Sequence, residues 1–508
     1  MFASIASAMV FGAEGYPIQV EVQVSKGLPG FRMVGRPDET TREARDRARA
    51  ALQSSGIDWP AANITVNLAP SSDRKSGSGL DLALAIGVLV AIEMIPPEAV
   101  DGLAFVAELG LDGSLRPVAG IVPMVGVLGE LDVVVPVACA VEAQVAALGR
   151  VRLISNLTEL LDVLINEAPW PDHPVPAQCD SIADAVHPDL ADVHGQPLAR
   201  HALEIAAAGA HHTLFIGPPG SGKTMLAARL AGLLPRLDRT RALEATMVHS
   251  AAGAVLPAGG LIQRPPFRAP HHTTSAIALV GGGSHTLRPG EISMSHCGVL
   301  FLDELAEFSP SVLDGLRQPL EQRIVTVDRA NLHAVLPADF LLVAAMNPCP
   351  CGGGPPGSCV CGDAVLHRYA RRVSGPLLDR FDLRVNVHRP AVDDLLANEP
   401  GESSSVVGER VEAARDLAWA RQGVLNSALA ASTLDVVARL DQGAQVHLRH
   451  EMEAGRLSGR GYHRVRRVAR TIADLRGDQS DQVTEDDVAL ALRFRASLAA
   501  ALRVGRAA

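Results

Sequence analysis

Eight consecutive residues, Gly217-Pro218-Pro219-Gly220-Ser221-Gly222-Lys223-Thr224, carry the most specific chemistry in the chain. A short apolar run, 213–216, precedes them, and a run with helical spacing, 225–234, follows. The glycines let backbone N–H groups turn toward phosphate oxygens, and the start of a helix adds a favourable dipole. Lys223 is expected to reach the β- and γ-phosphates of a nucleotide, and Thr224 to ligate Mg²⁺. Lys223 is conspicuous because Lys26 and Lys75 are the only other lysines; every other basic side chain is Arg or His.

Three further sites complete a hydrolytic set. Asp303 and Glu304 end the apolar run 298–302, where Asp303 can hold Mg²⁺ through water and Glu304 can deprotonate the attacking water. Asn347 ends the apolar run 340–346 and can position water against a γ-phosphate, or it is a turn residue before Pro348. Arg380 lies between a helix break and the apolar run 383–387. An Arg at such a corner can stabilise transition-state charge on a neighbouring subunit's ATP, or pair with Asp379 or Asp382 within its own chain.

Other side chains suggest weaker chemistry. Cys349, Cys351, Cys359 and Cys361 bracket a Gly/Pro loop, and four thiolates so placed suit a structural, tetrahedral Zn²⁺. Free thiols are the alternative, because the C-x-C spacing is narrower than the usual C-x₂-C. His271 and His272 are adjacent with no third donor in sight, so a metal is not expected there. Residues 323–335 read as two alternating strands around a turn at Asp328-Arg329-Ala330-Asn331. Arg329 stands at that tip, and read from the pattern alone it belongs to an ordinary exposed turn. Arg368, Arg371 and Arg372 form one basic cluster, and Arg464, Arg466, Arg467 and Arg470 another; each could serve DNA, nucleotide or subunit acids.

These groups need elements to hold them. The 508 residues suffice for two or three domains. Residues 1–165 alternate strand-like runs (18–24, 64–68, 133–137) with helices (38–54, 80–92, 158–166). Four prolines in residues 168–177 mark a linker, taken as 166–192. Residues 193–390 alternate strand, loop and helix, which predicts a parallel α/β sheet. Residues 391–508 carry Ala, Leu and Arg at helical spacing and are expected to be all-α. The expected fold class is therefore multi-domain α/β. The net charge of −10 argues against a protein that coats DNA through overall positive charge, so any DNA contact must come from local Arg clusters. The chain lacks an apolar run long enough to span a bilayer. The apolar start, residues 1–13, reads as a strand and not as a signal peptide, so the chain is expected in the cytoplasm.

The phrases at 298–307, 347–351 and 374–382 together resemble the magnesium-chelatase-like branch of AAA+ ATPases, and in particular its ComM/YifB-type bacterial subfamily. Phe267-Arg-Ala-Pro-His-His-Thr273, Pro289-Gly-Glu-Ile-Ser293 and Arg460-Gly-Tyr-His-Arg464 extend the likeness over essentially the whole chain. The resemblance implies an AAA+ motor domain at 193–390 and a helical lid at 391–508. It implies Asn347 as sensor 1, Arg380 as the trans arginine finger and Arg460 as the sensor 2 arginine, with Arg464 as the fallback. It further implies a hexameric ring with ATP and Mg²⁺ as cofactors, acting on single-stranded or branched DNA as a branch-migration helicase in recombination and natural transformation. Minichromosome-maintenance helicases share this layout and carry a hairpin like 323–335 in the ring's pore, a likeness that implies Arg329 at its tip as the contact for a DNA phosphate backbone. A protein-remodelling ATPase is the rival reading, although the hairpin tip has no aromatic residue to grip polypeptide. Residues 1–165 resemble the Lon-protease/ribosomal-S5-like fold. The Lys75-Ser-Gly-Ser78-Gly-Leu-Asp81 phrase looks like the Lon nucleophile region, but Ala119-Gly-Ile-Val122 lacks the dyad lysine. The domain is expected to bind a protein partner or support assembly, without peptidase activity.

Overall fold

The computed structural model describes residues 1–35, 39–70, 79–174, 187–283, 287–329, 332–352, 359–391, 393, 396, 401–478 and 480–495. Lys75 and Ser78 lie outside the described residues, as do Ala330 and Asn331 of the hairpin turn.

In the amino-terminal region, alternation of apolar and polar residues builds a mixed seven-stranded sheet. Its order is Gly30–Val34, Asn63–Ala69, Glu14–Ser25, Phe2–Phe11, Leu103–Phe105, Asp132–Pro136 and Val151–Ile154. Phe2–Phe11 and Glu14–Ser25 pair antiparallel, from Phe2 opposite Gln23 to Phe11 opposite Glu14. Ile18, Val20 and Val22 point inward at period two and meet the Asp81–Ala91 helix, which is buried at every residue. Asp81 is held there by Arg47, at 2.5 Å from Nε and 2.9 Å from Nη2. Burial still pushes the Asp81 carboxyl up to about 6, against the pull of Arg47.

The central region folds as the strand–helix alternation predicts. Five parallel strands run in the order Phe267–Arg268, Val299–Leu302, Leu341–Met346, Thr213–Ile216 and Leu383–Asn386. Strands buried on both faces read as continuous apolar runs, and three of these are buried at every residue. One face packs on the Pro197–Gly209 and Lys223–Leu230 helices, the other on the segment around Ile292, Leu305 and Leu313.

The carboxy-terminal region is built from the helices Ser404–Gln422, Ala431–Val437, Gln442–Glu453, Gly459–Leu475 and Glu485–Arg493. The all-α expectation needs one correction. Arg439–Leu440 pairs in parallel with Gln482–Val483, and Arg495 bridges to Arg384 beside the central sheet. Two-residue ladders of this kind carry no periodicity that a sequence could display.

The Pro-rich segment does not keep the amino-terminal region apart. Gly120 N donates to Ser250 O at 2.8 Å, and Val122 N to Ser250 Oγ at 3.3 Å. Leu243, Met247 and Leu256 pack on the apolar cluster around Ile121 and Val125. Ala13, in the turn between the first two strands, joins the same core cluster as Leu287 and Leu336. Trp170 lies under the Arg152 guanidinium, 4.9 Å from its ring centre, so the linker's first half is itself docked.

Candidate nucleotide site

Parallel strands bring their carboxyl ends to one edge, where ligands bind in open α/β sheets. The residues that follow Ile216, Leu302 and Met346 meet there. Lys223 Nζ donates to Gly217 O at 2.7 Å, Pro218 O at 3.0 Å and Asn347 Oδ1 at 3.2 Å. Burial holds the Lys223 ammonium below its ordinary pKa, while Asp303 and Glu304 pull it back up. Thr224 Oγ1 donates to Asp303 Oδ2 at 2.6 Å. These two oxygens, side by side at a helix start, are the hard donor set that Mg²⁺ takes. The loop's glycines have local reasons. A Cβ on Gly217 would lie 2.2 Å from Val387 O, and Gly222 opens the Lys223–Leu230 helix at φ +86°.

Glu304 sits at φ +52°, a left-handed conformation that strains a non-glycine residue. Its N–H donates to Asp303 Oδ1 at 2.8 Å, and its half-exposed carboxylate lies 3.0 Å from His272 Nδ1. His272 reaches it from the residues after Phe267–Arg268, the edge strand beside Val299–Leu302. The two adjacent imidazoles lie 4.1 Å apart, centre to centre and tilted by 33°, but take different partners, since His271 Nδ1 lies 2.9 Å from Thr273 Oγ1. Sequence reasoning weighed this pair only as a metal site. The contact with Glu304 depends on strand order, which the sequence does not display.

Arg380 stands at the opposite edge. Leu383–Asn386 runs parallel to Thr213–Ile216 with Leu383 opposite Thr213, so Arg380 precedes the strands whose far ends carry Lys223. Four strand residues, about 13 Å, separate the two edges. Arg380 pairs with Glu321 and not with Asp379 or Asp382. Asp379 instead lies 3.6 Å from Arg384, and Asp382 accepts from Arg464 at 2.6 Å. Burial lowers the Arg380 pKa, and the positive charges of Arg464, Arg460 and Arg317 lower it further. Arg380 Nε and Arg317 Nε are both buried without a hydrogen-bond partner. Arg460, in the first turn of Gly459–Leu475, thus stands with Arg380 and away from its own chain's phosphate loop, and so does its fallback Arg464. Arg317 was not singled out from the sequence.

The other candidates fall as follows. Ile324–Arg329 and Leu332–Pro337 form an antiparallel hairpin, which continues two residues beyond the expected end. The second basic cluster is consumed within the fold: Arg466 pairs with Asp435, Arg467 donates to Leu429 O, and fully buried Arg470 pairs with Asp474. In the first cluster Arg372 pairs with Glu307 at 2.7 Å. The four cysteines of 349–361 converge next to the phosphate loop, where burial and the neighbouring thiols push the Cys349 thiol up.

Comparison with known proteins bears directly on this arrangement. Residues 189–395, which contain every group described at both edges except Arg460 and Arg464, match the family described as magnesium chelatase, subunit ChlI. Residues 20–138 match subunit ChlI of Mg-chelatase, and residues 401–495 match the ChlI carboxy-terminal family. The chain is 41% identical over 487 residues to YifB of Escherichia coli, covering 96% of this chain and 95% of that protein. It is 40% identical over 499 residues to competence protein ComM of Haemophilus influenzae, covering 97% of each. The chain belongs to the ComM/YifB-type magnesium-chelatase-like family. A protein of Mycobacterium tuberculosis is 44% identical over 496 residues, again across 96% of this chain and 97% of that one. As a member of this AAA+-like group, the chain presents its P-loop on a parallel sheet with a helical carboxy-terminal region. No helix among the described residues is long and apolar enough to cross a membrane.

Proposed function

We propose that this chain is an ATP-hydrolysing AAA+ motor that works as a hexameric ring in the cytoplasm and moves DNA. The observation that carries the ring is the separation of Arg380 from Lys223 within one chain. A guanidinium cluster with unpartnered buried N–H groups at one edge, and a phosphate loop at the other, complement each other between neighbours. On this reading residues 1–165 bind a partner or support assembly, 166–192 link, 193–390 hydrolyse ATP and 391–508 act as the lid.

The chemistry follows from the contacts. Lys223 exchanges the carbonyls of Gly217 and Pro218 for phosphate oxygens as ATP enters. Thr224 and Asp303 would hold Mg²⁺, which would supply positive charge to offset that of the phosphates. Glu304 turns from His272 to take the proton of the attacking water, and Asn347 orients that water. Arg380, helped by Arg460 and Arg317, meets the developing charge on the neighbour's γ-phosphate.

DNA as the substrate is supported by the 40% identity to a protein named for competence and by the Arg329 hairpin. Branch migration during recombination and natural transformation is the corresponding task. The test is ATPase rate with and without single-stranded and forked DNA, for the wild-type chain and Arg329→Ala. DNA stimulation that Arg329→Ala weakens is the expected result. A vigorous ATPase indifferent to every DNA would favour the protein-remodelling reading.

A further inference from the structure

Two groups of metal-type donors come within 4.8 Å of one another among the described residues. In the first, Glu244, His296 and Cys297, the geometry works against an ion. His296 Nδ1 accepts the Asp339 N–H at 3.0 Å, so a neutral ring carries its proton on Nε2, the nitrogen that faces Glu244 at 3.3 Å. A proton already occupies the position a cation would need.

The second group is different. Cys349 and Cys351 Sγ are 3.2 Å apart, Cys351 and Cys359 3.7 Å, and Cys359 and Cys349 3.6 Å, with Cys361 Sγ in the same group. A disulfide would bring two sulfurs to about 2.05 Å, and none of these pairs is bonded. Four sulfurs at about 2.3 Å from one zinc lie about 3.8 Å from each other, the edge of a regular tetrahedron. Two of the three distances fall near that edge, and the third is a modest compression. Gly352 N also donates to Cys349 O at 3.0 Å, closing a tight turn around the first pair.

We propose that Cys349, Cys351, Cys359 and Cys361 bind one structural Zn²⁺ that clamps the nucleotide site. Four thiolates leave zinc no open position, so its task is to hold backbone. What it holds is specific. Cys349 lies two residues after Asn347, the acceptor of the Lys223 ammonium. Gly352, at φ +89°, lies so close to the phosphate loop that a Cβ there would meet Pro219 Cγ at 2.9 Å. Cys361 leads into the Asp363–Ala370 helix, whose Tyr369 is packed in the core of the central sheet. The metal thus ties the water-positioning strand end, the phosphate loop and a core helix together. This coupling to turnover rests on the ATPase reading above; the metal site does not.

The test uses the full-length chain purified without chelator. Metal content by mass spectrometry is expected to show one zinc per chain. Replacement with Co²⁺ is expected to give the intense sulfur-to-cobalt and tetrahedral d–d bands of a four-thiolate site. The double variant C351S/C361S is expected to lose the zinc, and its KM for ATP to rise. Because that variant can fail to fold, the wild-type chain is also titrated with a thiol-blocking mercurial, which should release the zinc in step with four thiols. A chain with no zinc after incubation with ZnCl₂, or cobalt spectra lacking the sulfur bands, overturns the site. Zinc retained in a chain without ATPase activity overturns the motor reading and leaves the site standing. Zinc lost with KM unchanged overturns the clamp.

Discussion

At the scale of single residues, Glu304 and His272 form the contact with the sharpest consequences. Glu304→Gln keeps the side chain's size and removes its ability to accept a proton. Turnover is expected to fall by about 10²–10⁴-fold with ATP affinity unchanged, measured by steady-state ATPase and fluorescent-nucleotide binding. His272 Nδ1 lies 3.0 Å from a Glu304 carboxylate oxygen, which on the proposed mechanism must be released to take the proton of the water. His272→Ala is therefore expected to raise the basal ATPase rate and shrink the increment that DNA adds. A lower basal rate with full DNA stimulation would instead make His272 a group that positions Glu304 for catalysis.

At the scale of elements, the start of the central sheet carries a pH dependence. His212 precedes the Thr213–Ile216 strand, and its Nδ1 accepts the Leu342 N–H at 3.0 Å, joining two strands. Burial pushes its pKa from 6.5 down to about 4, with Arg464 and His211 lowering it and Asp382 and Asp339 raising it. The neutral ring is thus the folded form. Its contribution is complete above pH 6.5, shrinks as the unfolded chain takes up the proton, and is gone once pH falls through 4. The total is at most roughly 3 kcal/mol. Urea midpoints measured at pH 7 and pH 5 should show the larger part of that loss, about 2 kcal/mol, in the wild-type chain. His212→Asn, whose amide oxygen can also accept from Leu342, should show a smaller difference between the two pH values.

At the scale of the whole molecule, the ring proposed above requires that activity belong to pairs of chains. Arg380→Ala and Lys223→Ala chains are each expected to be inactive. Mixed in equal amounts, they are expected to regain part of the ATPase rate, because an interface formed by Lys223 from one chain and Arg380 from the other is intact. No recovery from a mixture shown to co-assemble would place both residues in the service of one chain. The docked amino-terminal region adds a second coupling. The turn carrying Gly12 lies against Leu336 of the hairpin, so displacement of the hairpin cannot leave residues 1–165 undisturbed.

The residues 217–224 were legible without a structure because their chemistry is local. Contiguous glycines, a lysine and a threonine after an apolar strand fix the backbone and the donors within one turn of helix. The central strands were legible for a related reason, since burial on both faces leaves an uninterrupted apolar run such as 341–346. The relations between distant segments were not legible. Strand order puts His272 beside Glu304, parallel register puts Arg380 at the far edge from Lys223, and chain reversal brings Cys359 back to Cys349. The arginines of 464–470 show the same limit, because spacing displays a basic helix face but not the carboxylates and carbonyls that consume it. Sequence alone determined which groups suited to binding phosphate this protein carries. Tertiary structure decided which of them face one another, because packing of apolar faces, and not the identity of the polar residues, sets the distances between segments.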